Sequence, residues 1–138
     1  MYTYRFGNDE GHESITNLKK LKNCRWTNSF GLYFNRELVG TGTLRIQNFG
    51  NKWIHTEYMR LKHGFRKKGH GIYLYKVAIL IAKKLGAKRI YASKRLNKNS
   101  RRMWTKKLSR YGFNVIIGKH CSRPCCHCKK NPVCYIEL

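Results

Sequence analysis

Residues 64–85, GFRKKGHGIYLYKVAILIAKKL, constrain this chain more than any other stretch, because they set a basic, glycine-containing turn directly before one long apolar-faced helix. Leu74, Val77, Ala78, Ile81 and Leu85 recur at helical spacing, and Lys83 and Lys84 fall in the last turn with Gly86 just beyond. Cations near a helix C-terminus and a glycine past it are stop signals, so the helix runs from about Gly71 to Leu85. A helix with one apolar stripe must lie against another layer. The segments around it supply that layer by alternating apolar and polar residues, the period of a strand.

MYTYRFG reads as a first strand, and SITNLKKLKNCRW as a short helix with Ser14 as N-cap and Ile15, Leu18 and Leu21 on one face. FGLYFN and ELVGTGTLRIQ, joined through Asn35-Arg36, form a hairpin, and KWIHTEYMRLK a further strand. Beyond the long helix come a short buried strand, RIYAS, and a basic helix from Ser100 to about Arg110 with Met103, Trp104 and Leu108 apolar. Two last strands, FNVIIG and VCYIEL, close the chain. The order predicts an α/β fold with a mainly antiparallel sheet. At 138 residues, with 41% hydrophobic content and no linker-like stretch, residues 1–138 read as a single domain with a real core.

Charge narrows the partner. The chain carries 30 Lys and Arg against 6 Asp and Glu, a formal net charge of +24, and no carboxylate lies between Tyr58 and Ile136. So large a basic excess attracts polyanions, which makes nucleic acid or a nucleoprotein the leading partner class; a merely solvated surface is the plainer alternative. MYTYRFGNDEGHES has no apolar signal core and no run reaches membrane-spanning length, so the expectation is a cytoplasmic protein with no membrane partner. Thiols stay reduced there, and six cysteines then point to metal or chance more than to disulfides.

The loop Arg66-Lys67-Lys68-Gly69-His70-Gly71 has the physics of an anion cradle. Gly69 and Gly71 let the backbone approach a ligand. The amides at the helix start are unpaired and carry partial positive charge, and Arg66, Lys67 and Lys68 add mobile cations. A charged turn that needs glycine for its shape is the alternative. The six residues fit the Arg/Gln-x-x-Gly-x-Gly/Ala loop of the GCN5-related N-acetyltransferase (GNAT) superfamily. They stand between a strand ending Met59-Arg60-Leu61 and a long helix, and the second helix ends in Gly112-Phe113, which is similar to the close of the family's second motif. In element order the resemblance spans roughly residues 30 to 117.

The resemblance implies an acetyl-CoA donor, its pyrophosphate on residues 66–71 and its pantetheine along the preceding strand beside Met59 and Leu61. It implies a base on that strand. His55, in the register where some members carry glutamate, and Glu57, one step nearer the loop, are the candidates, each with a structural alternative: packing for His55, an ion pair for Glu57. By the two-residue period, His55, Glu57, Met59 and Leu61 share one face. Asn97-Lys98-Asn99-Ser100 resembles the family's start to its last helix, placing Asn97 among the cofactor residues. Trp104 stands where members often carry a tyrosine acid, and Tyr111 is the nearest substitute, with core packing as its alternative. An indole does not donate a proton usefully to a thiolate, which leaves open a GNAT-like fold that binds nucleic acid without catalysis.

Two features lie outside the motif. KHCSRPCCHCKKNPVC, within residues 117–134, holds Cys121, Cys125, Cys128 and Cys134, a set suited to a closed structural zinc site; Cys126, His120 or His127 are substitute ligands, and disulfides or free thiols are the alternative. Lys94, Arg95, Lys98, Arg101, Arg102, Lys106, Lys107 and Arg110 run before and along the second helix. Arg102, Lys106 and Arg110 form an i, i+4 ladder that is unfavourable unless an anion lies across it. The resulting expectation is an acyl-CoA-dependent N-acyltransferase, acetyl-CoA its donor, acting on an amine of, or bound to, nucleic acid. Aminoacyl-tRNA, a modified base and a lysine of a nucleic-acid-binding protein are the candidate acceptors.

Overall fold

The computed structural model describes residues 1–6, 25–47, 52–93, 96–118 and 133–138. They form one seven-stranded sheet, ordered β1-β2-β3-β4-β5-β7-β6. Its strands are β1 (Tyr2–Phe6), β2 (Arg25–Phe34), β3 (Glu37–Gln47), β4 (Trp53–Leu61), β5 (Arg89–Tyr91), β6 (Val115–Gly118) and β7 (Val133–Glu137). Every pairing is antiparallel except β4 with β5. That parallel step needs a crossover, and α1 (Gly71–Leu85) makes it.

The β2–β3 hairpin turns at Asn35 and Arg36, both at positive φ (49° and 69°). That is the two-residue turn whose twist matches its strands. Arg25 and Trp26, expected to close the N-terminal helix, instead open β2; residues 14–24 lie outside the described residues.

Helix α1 ends at Gly86 (φ 83°), where Ala87 N–H donates to Ala82 O and Gly86 N–H to Lys83 O. Only glycine adopts this left-handed turn freely, and the two bonds satisfy carbonyls that a helix end leaves open. The second helix uses the same device. It comprises α2 (Lys98–Arg102), a π-helical turn (Met103–Lys107) and α3 (Leu108–Arg110), and it ends at Gly112 (φ 92°) with Phe113 N–H on Leu108 O. It starts two residues before the expected Ser100, because Asn97 caps it: Asn97 Oδ1 accepts from Ser100 N–H at 2.8 Å. The π turn widens the helical repeat, so residues beyond it drift off the expected Arg102–Lys106–Arg110 ladder.

One face of the sheet holds the core. Leu44, Ile46, Ile54, Ile90 and Ile136 meet Leu74, Ala78, Ile81 and Leu85 of α1 and Met103, Trp104 and Leu108 of the second helix. A bulge in β4 changes which residues reach that face. Glu57 lies opposite Thr43 but Arg60 lies opposite Thr41, so Tyr58 and Met59 share the span opposite Gly42, with Tyr58 at φ 50°. His55 and Glu57 therefore lie on the face opposite the core. Met59, whose sulfur lies against Gly42 beside Phe30, and Leu61, near Gly71, lie on the core face. The expected single face of four residues is corrected by that one extra residue, since each one-residue slip inverts a strand's facing.

Candidate functional site

β5 pairs with β4 only along Trp53–His55, and its last residue, Tyr91, accepts a hydrogen bond from Thr56 Oγ1 at 3.0 Å. Beyond that link the strands separate and a cleft of about 480 Å³ opens. One wall is β4 from Thr56 to Arg60; the other is Ser93, Leu96, Asn97 and Ser100; Tyr75 of α1 and Trp104 close it from the helix side. Strand edges carry unpaired amides and carbonyls, so a β4 edge left without a neighbouring strand suits an extended ligand rich in amides.

The basic loop leads from β4 to α1 by a 3₁₀ turn, His63–Phe65. Lys67 (φ 60°) and Gly69 (φ 83°) are both left-handed, and Arg66, Lys67, Lys68 and Gly69 are exposed. Arg66 Nε also donates to Leu61 O at 3.3 Å, tying the loop to the strand. Helix α1 has neither an acidic residue in its first turn nor a side-chain cap. A Cβ built on Gly69 would meet nothing within 4 Å, and one on Gly71 only Met103 at 3.4 Å and Leu61 at 3.8 Å. Neither glycine is required by crowding, and the space before the helix start is open to a phosphate.

His70 departs from the expectation. Its ring is buried, Nδ1 lies 2.6 Å from the Tyr2 hydroxyl, and Phe34 and Phe65 pack around it at 5.3 and 5.7 Å between centroids. The imidazole locks the loop to β1, and only its main chain can face a ligand.

Of the three expected acid–base residues, the structure brings one to the cleft. Glu57 lines it, with Arg45 Nε 3.3 Å from its carboxylate. His55 is buried and stacked on Tyr91 at 5.0 Å, outside the cleft lining. Tyr111 lies just past α3, 56% exposed under the Lys76 ammonium, also outside the lining. Met59 and Asn97 line the cleft; Leu61 does not, its side chain lying between Gly40 and Gly71 and its carbonyl accepting from Arg66.

Two residues not anticipated from the sequence stand there. Tyr58 is 70% exposed at the bulge, and Tyr75 is buried with its ring edge-on to Trp104 at 5.8 Å and 88°. Burial pushes the Tyr75 phenol up, while the side chains of Ser100 and Trp104 pull it the other way. A tyrosine rather than phenylalanine among the apolar positions of α1 was the available signal, because a buried hydroxyl has to find a partner.

Cys134, one of the four expected ligands, lies in a strand and not in the loop. It is buried in β7 on the face of Ile136, and burial pushes its thiol up to about 11. Cys121, Cys125 and Cys128 lie outside the described residues, among which no group of three or more His, Cys, Asp or Glu converges. Lys94 and Arg95 also lie outside them, whereas Lys98, Arg101, Arg102, Lys106, Lys107 and Arg110 are all exposed on the second helix. Among the described residues, no helix is long and apolar enough to cross a membrane.

A sheet parted beside a strand bulge, on the strand that leads to an uncapped basic helix start, has the form that would suit a long phosphate-bearing ligand. The chain belongs to the acetyltransferase (GNAT) family, whose model matches residues 2–109. Solved structures agree on the fold. A GNAT family acetyltransferase from Elizabethkingia anophelis with acetyl-CoA bound superposes with a TM-score of 0.60 at 16% identity, over 99% of this chain and 98% of that one. An IAA acetyltransferase from Bacillus cereus gives 0.61 at 14% over the whole of both chains. N-acetylglutamate synthase from Neisseria gonorrhoeae, complexed with coenzyme A and N-acetyl-glutamate, gives 0.61 at 13%, over 100% of this chain and 35% of that one. No curated protein sequence matches the chain.

Proposed function

We propose that this protein is an acyl-CoA-dependent N-acyltransferase with acetyl-CoA as donor, whose acceptor amine belongs to a nucleic acid or to something bound on one. The observation that carries the donor half is the parted edge of β4, lined from Thr56 to Arg60, on the strand whose following loop ends at the open, uncapped start of α1. The residues fit the group: exposed Lys67 and Lys68 and the free amides before Ile72 would hold the pyrophosphate, and the parted edge of β4 would hold the pantetheine amides. The bound thioester supplies the activated acyl carbonyl. Glu57, which lines the cleft with Arg45 Nε 3.3 Å from its carboxylate, would take a proton from the incoming amine.

The acceptor half rests on charge. The exposed face of the helix that borders the cleft carries six cations, Lys98, Arg101, Arg102, Lys106, Lys107 and Arg110. The described side-chain carboxylates are Glu37, Glu57 and Glu137, and the latter two already face Arg45 and Arg89. A coenzyme's few phosphates leave most of that excess unanswered, and a phosphate backbone answers it. Trp104 at the cleft favours a second reading, a nucleic-acid binder that has lost transfer chemistry.

Gly71→Glu tests the donor half. A carboxylate at a helix start is favoured by the dipole, so the fold is retained, yet it repels phosphate from the same spot. Coenzyme A at a hundred times its dissociation constant is expected to stabilise the wild type by about 2.7 kcal/mol. The variant is expected to show no stabilisation. A wild type indifferent to millimolar coenzyme A overturns the reading.

A further inference from the structure

We infer that the acceptor reaches the cleft as an unpaired nucleotide, and that its base stacks on the exposed ring of Tyr58. The inference rests on the acyl-CoA reading above and narrows its acceptor. The amine then belongs to a single-stranded nucleic acid itself, on the stacked base or on a group its nucleotide carries.

Tyr58 occupies a costly position for a tyrosine. It sits in the β4 bulge at φ 50°, a left-handed conformation that glycine takes freely and an L side chain does not. Packing does not offset that cost. The ring is 70% exposed, while Met59, which shares the bulge, sets its sulfur against Gly42 beside Phe30. No ring, cation or hydrogen-bond partner meets the Tyr58 side chain among the described residues. Strained backbone that packing does not use clusters at ligand sites, and Tyr58 lines the cleft. The other exposed tyrosine, Tyr111, has the Lys76 ammonium over its ring and lies outside the lining.

The surroundings name the ligand. The wall that carries Tyr58 also carries the exposed Arg60, and Asn97 and Ser100 stand across the cleft. Lys98 and Arg102 lie exposed in the helix that Asn97 caps. A free aromatic face flanked by cations holds a single strand without reading its sequence: bases stack on the ring and phosphates face the cations. A duplex would satisfy the same cations but keep its bases in the stack, and chemistry on a base requires the base to leave it. A lysine-rich peptide, the other carrier of amines, would bring cations to cations.

Tyr58→Ala and Tyr58→Phe provide the test, with a labelled oligothymidylate and an abasic strand of the same length as probes. The two strands carry equal phosphates and differ only in their bases. Fluorescence anisotropy of the wild type is expected to show the base-bearing strand bound about 5–100-fold more tightly. In Tyr58→Ala that ratio is expected to fall to about one. Affinity for the abasic strand and its slope against salt are expected to stay as they were, because no phosphate contact is lost. Tyr58→Phe is expected to keep the ratio, and so is Tyr111→Ala, a control ring outside the cleft. Saturating coenzyme A is expected to leave the strand's affinity unchanged, because donor and acceptor are held together. An equal ratio in the wild type and Tyr58→Ala overturns the role of Tyr58, as does a preference lost in Tyr111→Ala instead. Binding of a lysine-rich peptide that Tyr58→Ala weakens overturns the acceptor class, and mutual exclusion of strand and coenzyme A overturns the acceptor role. Failure of coenzyme A to stabilise the wild type, with the strand ratio intact, overturns the acyl-CoA reading and leaves the stacking on Tyr58 supported.

Discussion

The two long helical segments begin in opposite ways. The one at Lys98 is capped by its own sequence, with Asn97 Oδ1 on Ser100 N–H, whereas α1 opens after His70 with no side-chain acceptor for its first amides. They end alike, each on a left-handed glycine that closes the same pair of backbone bonds. The bare start is the one that follows the basic loop after β4, the strand that lines the cleft. The burial differs as well. Nine of the fifteen residues of α1 are buried, while the other segment buries Met103, Trp104 and Leu108 and turns a cationic face outward. The core shaped the first helix; on the function proposed above, anions outside the protein account for the second.

Substitutions on the second segment sharpen that contrast. Trp104→Ala removes its largest anchor, a fully buried indole against Tyr75, and is expected to cost about 3–5 kcal/mol in urea denaturation. Asn97→Ala removes the cap and is expected to cost about 1 kcal/mol, measured the same way. An equal-sized loss from an inert surface position would instead weaken the contrast between capped and bare starts. Arg102→Ala, Lys106→Ala and Arg110→Ala combined are expected to change stability by less than about 0.5 kcal/mol. They are nevertheless expected to flatten the salt dependence of binding to a single-stranded oligonucleotide, by up to about 0.7 for each phosphate no longer neutralised. Undiminished salt dependence in the triple variant would place the polyanion on another surface.

Legibility followed how locally each feature is encoded. Residues 71–85 could be read to the residue, because the apolar spacing and Gly86 act within one turn of the chain they describe. The Asn35-Arg36 turn was equally local. The β4 bulge was not, since Tyr58 takes a left-handed φ with no glycine or proline to announce it, and a single extra residue reassigned Met59 and Leu61 to the core face. The loop at 66–71 was found by its glycines and charges. What holds His70, at its centre, was not legible, because its partners Tyr2, Phe34 and Phe65 come from three other places in the chain. Tyr75 was hidden for a similar reason: helical periodicity marks it as a core position, and the cleft it lines exists only where two strands part.

The hydrogen bond between Tyr2 and His70 joins residues 68 apart, and it ties the outermost strand of the sheet to the turn before α1. Tyr73, stacked on Tyr2 at 4.0 Å, doubles the tether from the first turn of the helix. Free energy spent on ordering that turn is therefore shared with the sheet's margin. Amide exchange in β1 becomes a remote gauge of whether the turn is occupied, and an empty protein is the form whose edge strand peels first and exposes β2 to pairing with another chain.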